Sequence, residues 1–313
     1  MISSLAPCHI LARVRENRPL GDRFFLLILE APEIALRATP GRFLQVDCDP
    51  SLTLPRPFSI MAVDREGGTV AVFYKVVGTG TRFMQQWPSG TKVWVLGPLG
   101  SSFSPPPPGR TPLMVAGGVG LAPLRFLGER LSQGNNDRPL LLWGVEAETI
   151  PWATTAPRLK FPEDPITHPV ALAWEEEQGI VSRLASLKER DGFFHGRVGD
   201  LLDRILAGIP DSGSRFFLYV CGPWAMMAAV AQTAARWHIP GEVSLEGTMA
   251  CGFGGCAGCA VPVYQEENRE NEWRYVRSCT EGPVLPMERI VWHTHRHPDT
   301  MAATKKGKGD PSL

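Results

Sequence analysis

The chain has 313 residues, 43% hydrophobic and 20% charged, with 32 Lys and Arg balanced by 32 Asp and Glu, so its formal net charge is zero at pH 7. That length suits two or three domains with a sizeable core, and the charge balance excludes nucleic acid as the expected partner: the only basic cluster is the short run Lys305, Lys306, Lys308. No basic N-terminal stretch leads into a long apolar run, and nothing reaches about eighteen consecutive apolar residues, so the expectation is a cytoplasmic protein with no membrane contact.

In chain order, the stretch from His9 to about Phe103 holds short β-type runs (FFLLILE, GRFLQVD, TVAVFYKVV, KVWVLGP) broken by Gly, Pro and Asp. Such a pattern predicts a small antiparallel barrel, assigned to 1–104. Pro105–Pro108 lack backbone donors and favour an extended segment, so they read as a connector.

From Thr111 the texture alternates: strand (PLMVAGG), helix (APLRFLGERLSQG), strand (PLLLWGV), then strand (FFLYVCG) and helix (AMMAAVAQTAARWH). Alternation of this kind predicts a parallel α/β sheet over 109–240. Between Thr149 and Pro169, five prolines predict a loop. After Pro240 a Gly- and Cys-rich segment and a polar stretch read as a small metal-organised module, 241–295. The tail 296–313 is nearly free of apolar residues and reads as disordered; His293, His295 and His297 alternate beside it and read as solvated rather than as a metal site.

Of seven cysteines, Cys8, Cys48 and Cys221 are isolated, the first two reading as small buried apolar residues. The others run Cys251-x4-Cys256-x2-Cys259 and then, after nineteen intervening residues, Cys279, the plant-type [2Fe-2S] ligand spacing. Glycines at 252, 254, 255 and 258 give this loop the freedom to take positive φ and turn N–H groups toward anionic sulfur. A four-thiolate zinc site is the alternative, although zinc knuckles ordinarily come as two short cysteine pairs.

Arg56-Pro57-Phe58-Ser59 is followed by Phe73-Tyr74-Lys75 and by Gly78-Thr79-Gly80-Thr81. Alone, RPFS is consistent with an ordinary turn. The same residue types also suit a flavin: arginine for the diphosphate, a serine hydroxyl near N5, aromatic rings against the isoalloxazine, and Gly80 and Thr81 as phosphate donors. Gly117, Gly118 and Gly120 close one predicted strand and open a helix, where N–H groups and the helix dipole can meet a pyrophosphate, though the strict G-x-G-x-x-G pattern is absent. Cys221-Gly222-Pro223 ends another strand, where ligands of open α/β sheets sit.

RPFS, GTGT, GPLG, AGGVGLAP and CGP occur in the order seen in the ferredoxin–NADP reductase superfamily. With SLEGTMACGFGGCAGCAVPV and SCTEGPVL included, the chain resembles, over about residues 8–293, the electron-transfer subunits of the NAD-dependent dihydroorotate dehydrogenases. DGFFHGRVGDLL is similar to the stretch before that family's last sheet strand. The resemblance implies an FAD-binding barrel, an NAD-binding α/β domain and a [2Fe-2S] module. FAD would be contacted by Arg56, Pro57, Phe58, Ser59, Phe73, Tyr74, Lys75, Gly80 and Thr81, and the cluster held by Cys251, Cys256, Cys259 and Cys279. Gly117, Gly118 and Gly120 would face the pyrophosphate of NAD(H), with Cys221, Gly222 and Pro223 near the nicotinamide.

The resemblance also implies a partner, an FMN-containing dihydroorotate dehydrogenase catalytic subunit in a heterotetramer, whose electrons pass through cluster and FAD to NAD+. FAD suits that place because it converts single electrons into a hydride. No Ser/His/Asp arrangement or paired carboxylates are found or needed, so no catalytic side chain is assigned. Departures from the family pattern are Lys75 where arginine is frequent, a longer polar insertion before Cys279, and the tail. The same motifs leave open a bifurcating ferredoxin–NADP or hydrogenase-type subunit, and, more remotely, a zinc-stabilised interaction protein on this scaffold.

Overall fold

The structure is a computed structural model that describes residues 6–132, 138–155, 157–161, 164–265 and 272–292. Six strands, β1 (Cys8–Gly21), β2 (Phe24–Glu30), β3 (Phe43–Val46), β4 (Arg56–Asp64), β5 (Thr69–Lys75) and β6 (Lys92–Leu99), close an antiparallel barrel in the order β1-β2-β5-β4-β3-β6. The period-two pattern dictates which face points inward: Ala12 and Val14 are buried while Leu11 is exposed, and Val93 and Val95 are buried while Trp94 is exposed. A short helix α1 (Pro32–Arg37) adds Ile34 and Ala35 to the barrel core, and α2 (Thr79–Met84) follows β5 and adds Met84.

Beyond the prolines, one sheet has the order β12-β11-β8-β7-β13-β14-β17. Its strands are β7 (Thr111–Gly117), β8 (Leu140–Gly144), β11 (Val181–Ser186), β12 (Phe194–His195), β13 (Phe216–Gly222), β14 (Gly241–Leu245) and β17 (Val284–Pro286). All neighbours are parallel except β14 and β17. Every residue of β7 and β13 is buried, the signature of central strands covered on both faces. Helices α5 (Val198–Gly208) and α7 (Trp224–Arg236) cover one face, α3 (Leu121–Ser132) the other. Because α3 also packs on β4, that second face merges with the barrel wall through Phe24, Met61 and Phe73.

The segment read as a loop from Thr149 to Pro169 contains only β9 (Ala153–Thr154), which pairs with β10 (Ala171–Leu172) ahead of α4 (Ala173–Glu177); α6 (Ser212–Arg215) leads into β13. The cysteine module adds a hairpin, β15 (Ala260–Tyr264) and β16 (Trp273–Arg277). One expectation is corrected here. The strand at Gly241–Leu245, placed with that module from its sequence, is hydrogen-bonded along β13 within the large sheet. Its alternation was hidden because all five of its residues are buried. The tail 296–313 and His293, His295 and His297 lie outside the described residues.

A buried charge cluster holds the loop side of the sheet. The Arg125 guanidinium lies between the rings of Trp152 and Trp174, 4.5 and 4.3 Å from their centroids, with its Nε 3.5 Å from Glu175 Oε1. Trp152 in turn meets Phe73 of the barrel edge-on at 5.4 Å. Burial pulls the guanidinium down and pushes the Glu175 carboxyl up, and among the described residues neither Glu175 oxygen accepts a hydrogen bond. The two charges therefore depend on each other and on the indole faces. Arg125→Met, which keeps much of the volume but strands the carboxylate, is expected to cost about 3 kcal/mol in urea unfolding, and adding Glu175→Gln should return part of that loss.

Candidate functional site

A cleft of about 580 Å³ opens between the barrel and the carboxyl ends of β7, β13 and β14. On the barrel side it is lined by Arg56, Pro57, Phe58 and Ser59 of β4, by Phe73, Tyr74 and Lys75 of β5, and by Val77, Gly78, Thr79, Gly80 and Thr81. Gly80 lets β4 come close, since a Cβ there would sit 3.2 Å from Arg56 Cγ and Cys48 Sγ. The Thr81 hydroxyl accepts N–H bonds from Val77 and Gly78 at 3.0 and 3.1 Å, so its work in this structure is to hold the turn. Tyr74 turns its ring into the barrel, where Phe25 stacks on it and its hydroxyl donates to Asn17 Oδ1 at 3.1 Å; burial pushes that phenol up. Arg56 donates to the carbonyls of Leu54 and Pro55 at 2.7 and 3.1 Å, and Lys75 lies 4.9 Å over Phe24.

On the sheet side the lining is Gly117, Gly118, Val119, Pro223, Ser244, Leu245, Glu246, Gly247, Met249 and Pro283, joined by Phe43. Gly118 has φ +53° with nothing within 4 Å of a hypothetical Cβ, and its carbonyl accepts the Trp143 indole N–H at 2.9 Å. Three sequence candidates stand behind this wall instead of on it. A Cβ at Gly120 would overlap the Cys221 carbonyl, and one at Gly222, which has φ +156°, would lie 2.9 Å from Gly117 N. Cys221 itself is buried, and burial, with Glu246 adding to it, pushes its thiol well up. These residues let two strand ends and a helix start meet, which is how the glycine turn is held open.

The cysteine loop packs directly against the cleft. Cys259 and Cys279 are buried in a cluster with Phe43, Leu99 and Met249, two of which also line the cleft. Cys251 is half-buried and Cys256 exposed. The sulfurs associate two and two, Cys251 with Cys256 and Cys259 with Cys279, and among the described residues no three His, Cys, Asp or Glu side chains converge on one metal-ion position. Four cysteine sulfurs are the donor type that a two-iron centre takes.

Of the four loop glycines, Gly252 and Gly254 take positive φ, and Ala257 does so as well, while Gly255 and Gly258 give N–H bonds to Cys251 Sγ at 3.2 Å and Cys256 Sγ at 3.4 Å. Burial is the largest influence on Cys251 and raises its thiol, yet the N–H groups of Phe253, Cys256 and Gly255 and the Cys256 side chain outweigh it and bring it to about 6. At Cys279 burial, then the Cys259 thiol, push the other way, to about 12.

Gln45 had no place in the sequence reading. It is 2% exposed, donates to the Met249 carbonyl at 3.3 Å and fills the space where Gly252 would carry a Cβ, fixing the loop to β3. Ser244–Gly247, Met249, Phe43 and Pro283 were also not assigned. The run SLEG leading straight into Met249 and Cys251 was the available signal, since a strand end so close to the cysteines must lie beside them.

The family profile described as the iron–sulfur cluster binding domain of dihydroorotate dehydrogenase B matches residues 246–291. The chain is 34% identical over 285 residues to the dihydroorotate dehydrogenase B (NAD(+)) electron transfer subunit of Desulforamulus reducens, covering 90% of this chain and 97% of that protein. The corresponding subunit of Shouchella clausii is 33% identical, covering 85% and 91%. Among solved structures, the NADH-dependent reduced ferredoxin–NADP oxidoreductase matches with a TM-score of 0.71 at 20% identity over 95% of this chain and 98% of that one. A ferredoxin NADP+ reductase from Neisseria gonorrhoeae with bound FAD and NADP matches at 0.56 and 16% identity, covering 73% and 91%; at these identities the likeness is one of fold.

The glycines of the turn separate by experiment. Gly120→Ala is expected to fail to fold or to unfold at much lower urea, because backbone must move. Gly118→Ala should fold with a loss of about 1 kcal/mol, the strain of positive φ alone.

Proposed function

The chain belongs to the family of dihydroorotate dehydrogenase B electron-transfer subunits, and from that premise we propose that it passes electrons from an FMN-containing dihydroorotate dehydrogenase partner to NAD+ in pyrimidine biosynthesis. The observation that carries the reading is the shared wall: Phe43 and Met249 belong both to the flavin-sized cleft and to the packing around Cys259 and Cys279. Two redox groups placed on either side of those two residues are separated by side chains only, with no intervening layer of structure.

Bound FAD and a [2Fe-2S] centre would supply conversion between single electrons and a hydride. The chain's own part is to hold them and shape their surroundings. Arg56 and Lys75 are the cations of the cleft, suited to a diphosphate, with Lys75 as a point charge lacking a bidentate fork. Ser59 and the Gly78–Thr81 turn supply polar groups on the same wall, and Phe58 and Phe73 add aromatic surface. Cys251, Cys256, Cys259 and Cys279 fit the cluster by donor type, by pairing and by the N–H bonds already aimed at sulfur. Gly117 and Gly118 offer the nucleotide its turn, and Pro223 borders the nicotinamide side.

In this reading the barrel carries FAD, the large sheet carries NAD, and the cysteine module starts at 246, after β14. The partner is an FMN-containing catalytic subunit assembled with this one as a heterotetramer in the cytoplasm. The surface that supports such docking is the exposed side of the cysteine loop, where Phe253 is 61% exposed beside the exposed Cys256. No helix among the described residues is long and apolar enough to cross a membrane.

Anaerobically purified protein is expected to contain about one flavin and about two irons per chain, and its flavin and iron–sulfur bands should bleach on adding NADH. Cys256→Ser, at an exposed position, should lose iron and keep flavin, and dihydroorotate oxidation should require an added FMN partner. A colourless protein with stoichiometric zinc would overturn both cofactor assignments, and dihydroorotate oxidation by the chain alone would overturn the partner.

A further inference from the structure

Resting on the nucleotide site just proposed, we infer that Glu146 is the residue that makes this chain accept NADH and refuse NADPH. Strand order reverses at β7, whose neighbours are β8 on one side and β13 on the other, and nucleotides bind across the carboxyl ends of strands at such a point. With the pyrophosphate at the Gly117–Gly118 turn and the nicotinamide toward the flavin cleft, the adenosine half lies on the opposite side, over β8 and β11. The ladder fixes what it meets there. Gly117 pairs with Gly144 and Gly144 with Ala185, so Glu146, Ser186 and Leu187 follow at the carboxyl ends just beyond that row.

At that edge the exposed Glu146 carboxylate accepts the Leu187 N–H at 2.6 Å and the Ser186 hydroxyl at 3.2 Å. Ser186 Oγ is itself held by the Lys188 N–H at 3.0 Å. A strand-end N–H beside a serine hydroxyl is the kind of donor set that cradles phosphate oxygens. Here a carboxylate of the chain already fills it. A 2′-phosphate arriving at this edge would meet a like charge and donors that are spent. A 2′-hydroxyl can donate to the carboxylate, because each carboxylate oxygen keeps a second acceptor site.

Two neighbours fit the same assignment. The Leu187 side chain is 56% exposed, an apolar surface for adenine next to the carboxylate. Arg190, a cation that could otherwise serve a phosphate, packs 5.4 Å over Phe193 and donates to the Glu148 carbonyl at 3.0 Å.

Calorimetric titration of the full, flavin-loaded chain with ADP-ribose and with 2′-phospho-ADP-ribose tests this without any redox step, alongside kcat/KM for NADH and NADPH with ferricyanide as acceptor. Wild type is expected to prefer ADP-ribose by on the order of tenfold or more, the size of one like-charge contact near a surface. Glu146→Ser, which frees both donors, should move the ratio toward the phosphorylated ligand by a similar factor, and Glu146→Gln, which keeps one acceptor and the shape, should move it part of the way. An unchanged ratio in both folded variants overturns the role of Glu146 and leaves the nucleotide site standing. Failure of wild type to bind either ligand overturns the nucleotide site and this inference with it.

Discussion

The electron-handling parts of this molecule depend on the return of the chain through Gly282–Val284. That short segment touches every unit. Val284 pairs with Ser244 as β17 joins the large sheet, and Leu245 N–H donates to the Pro283 carbonyl at 3.0 Å. Ser101, at the exit of the barrel, donates its N–H to the Gly282 carbonyl at 2.6 Å and exchanges hydroxyl bonds with Val284. Gly41 and Gly100 lack side chains where Val284 and Pro283 press in; a Cβ at Gly41 would lie 2.7 Å from Val284 Cγ2. Pro283 then lines the cleft four residues after Cys279. One crossing therefore sets the depth of the cleft and the distance of the cysteine loop from it, and a cavity-forming change here would loosen both at once.

Within the cleft, charge is distributed unevenly. Arg56 and Lys75 sit on the barrel wall, whereas Glu246 is the one carboxylate among the lining residues and lies on the sheet wall. Cations on the barrel side and the backbone N–H groups of the glycine turn on the sheet side give the two walls different means of meeting an anion. The sheet wall has a glycine turn at a strand-order reversal and no side-chain cation among its lining residues.

Much of this was legible in the sequence, and the reasons are local. Period-two runs marked the barrel strands, the strand-and-helix alternation marked the sheet, and the cysteine spacing marked the loop that packs against the cleft. The RPFS and GTGT motifs fell together on one wall because β5 runs antiparallel to β4 and leads into the Gly78–Thr81 turn, which packs on Arg56 at Gly80. What the sequence hid was everything set by long-range packing. β14 shows no alternation because both its faces are covered, so its sheet membership could not be read. Gly120 and Cys221 lie off the cleft lining, and the close approach between them comes from long-range packing. Gln45 and the Trp152–Arg125–Trp174 stack join residues more than twenty positions apart, and only the fold puts them together.

The four cysteines also differ in surroundings in a way that spacing does not reveal. The pair Cys251 and Cys256 lies toward solvent, supplied with N–H donors that stabilise thiolate charge, while Cys259 and Cys279 are packed among Phe43, Leu99 and Met249. Solvent exposure and hydrogen bonds to sulfur are the levers by which a protein sets the potential of such a centre. The chain applies them asymmetrically, with a polar, hydrogen-bonded pair facing outward and an apolar, buried pair facing the cleft. Negative charge is thus best tolerated at the surface and least screened beside the cleft. The gradient follows from burial together with the N–H bonds to Cys251 and Cys256, and it gives the cysteine loop an outward and an inward side.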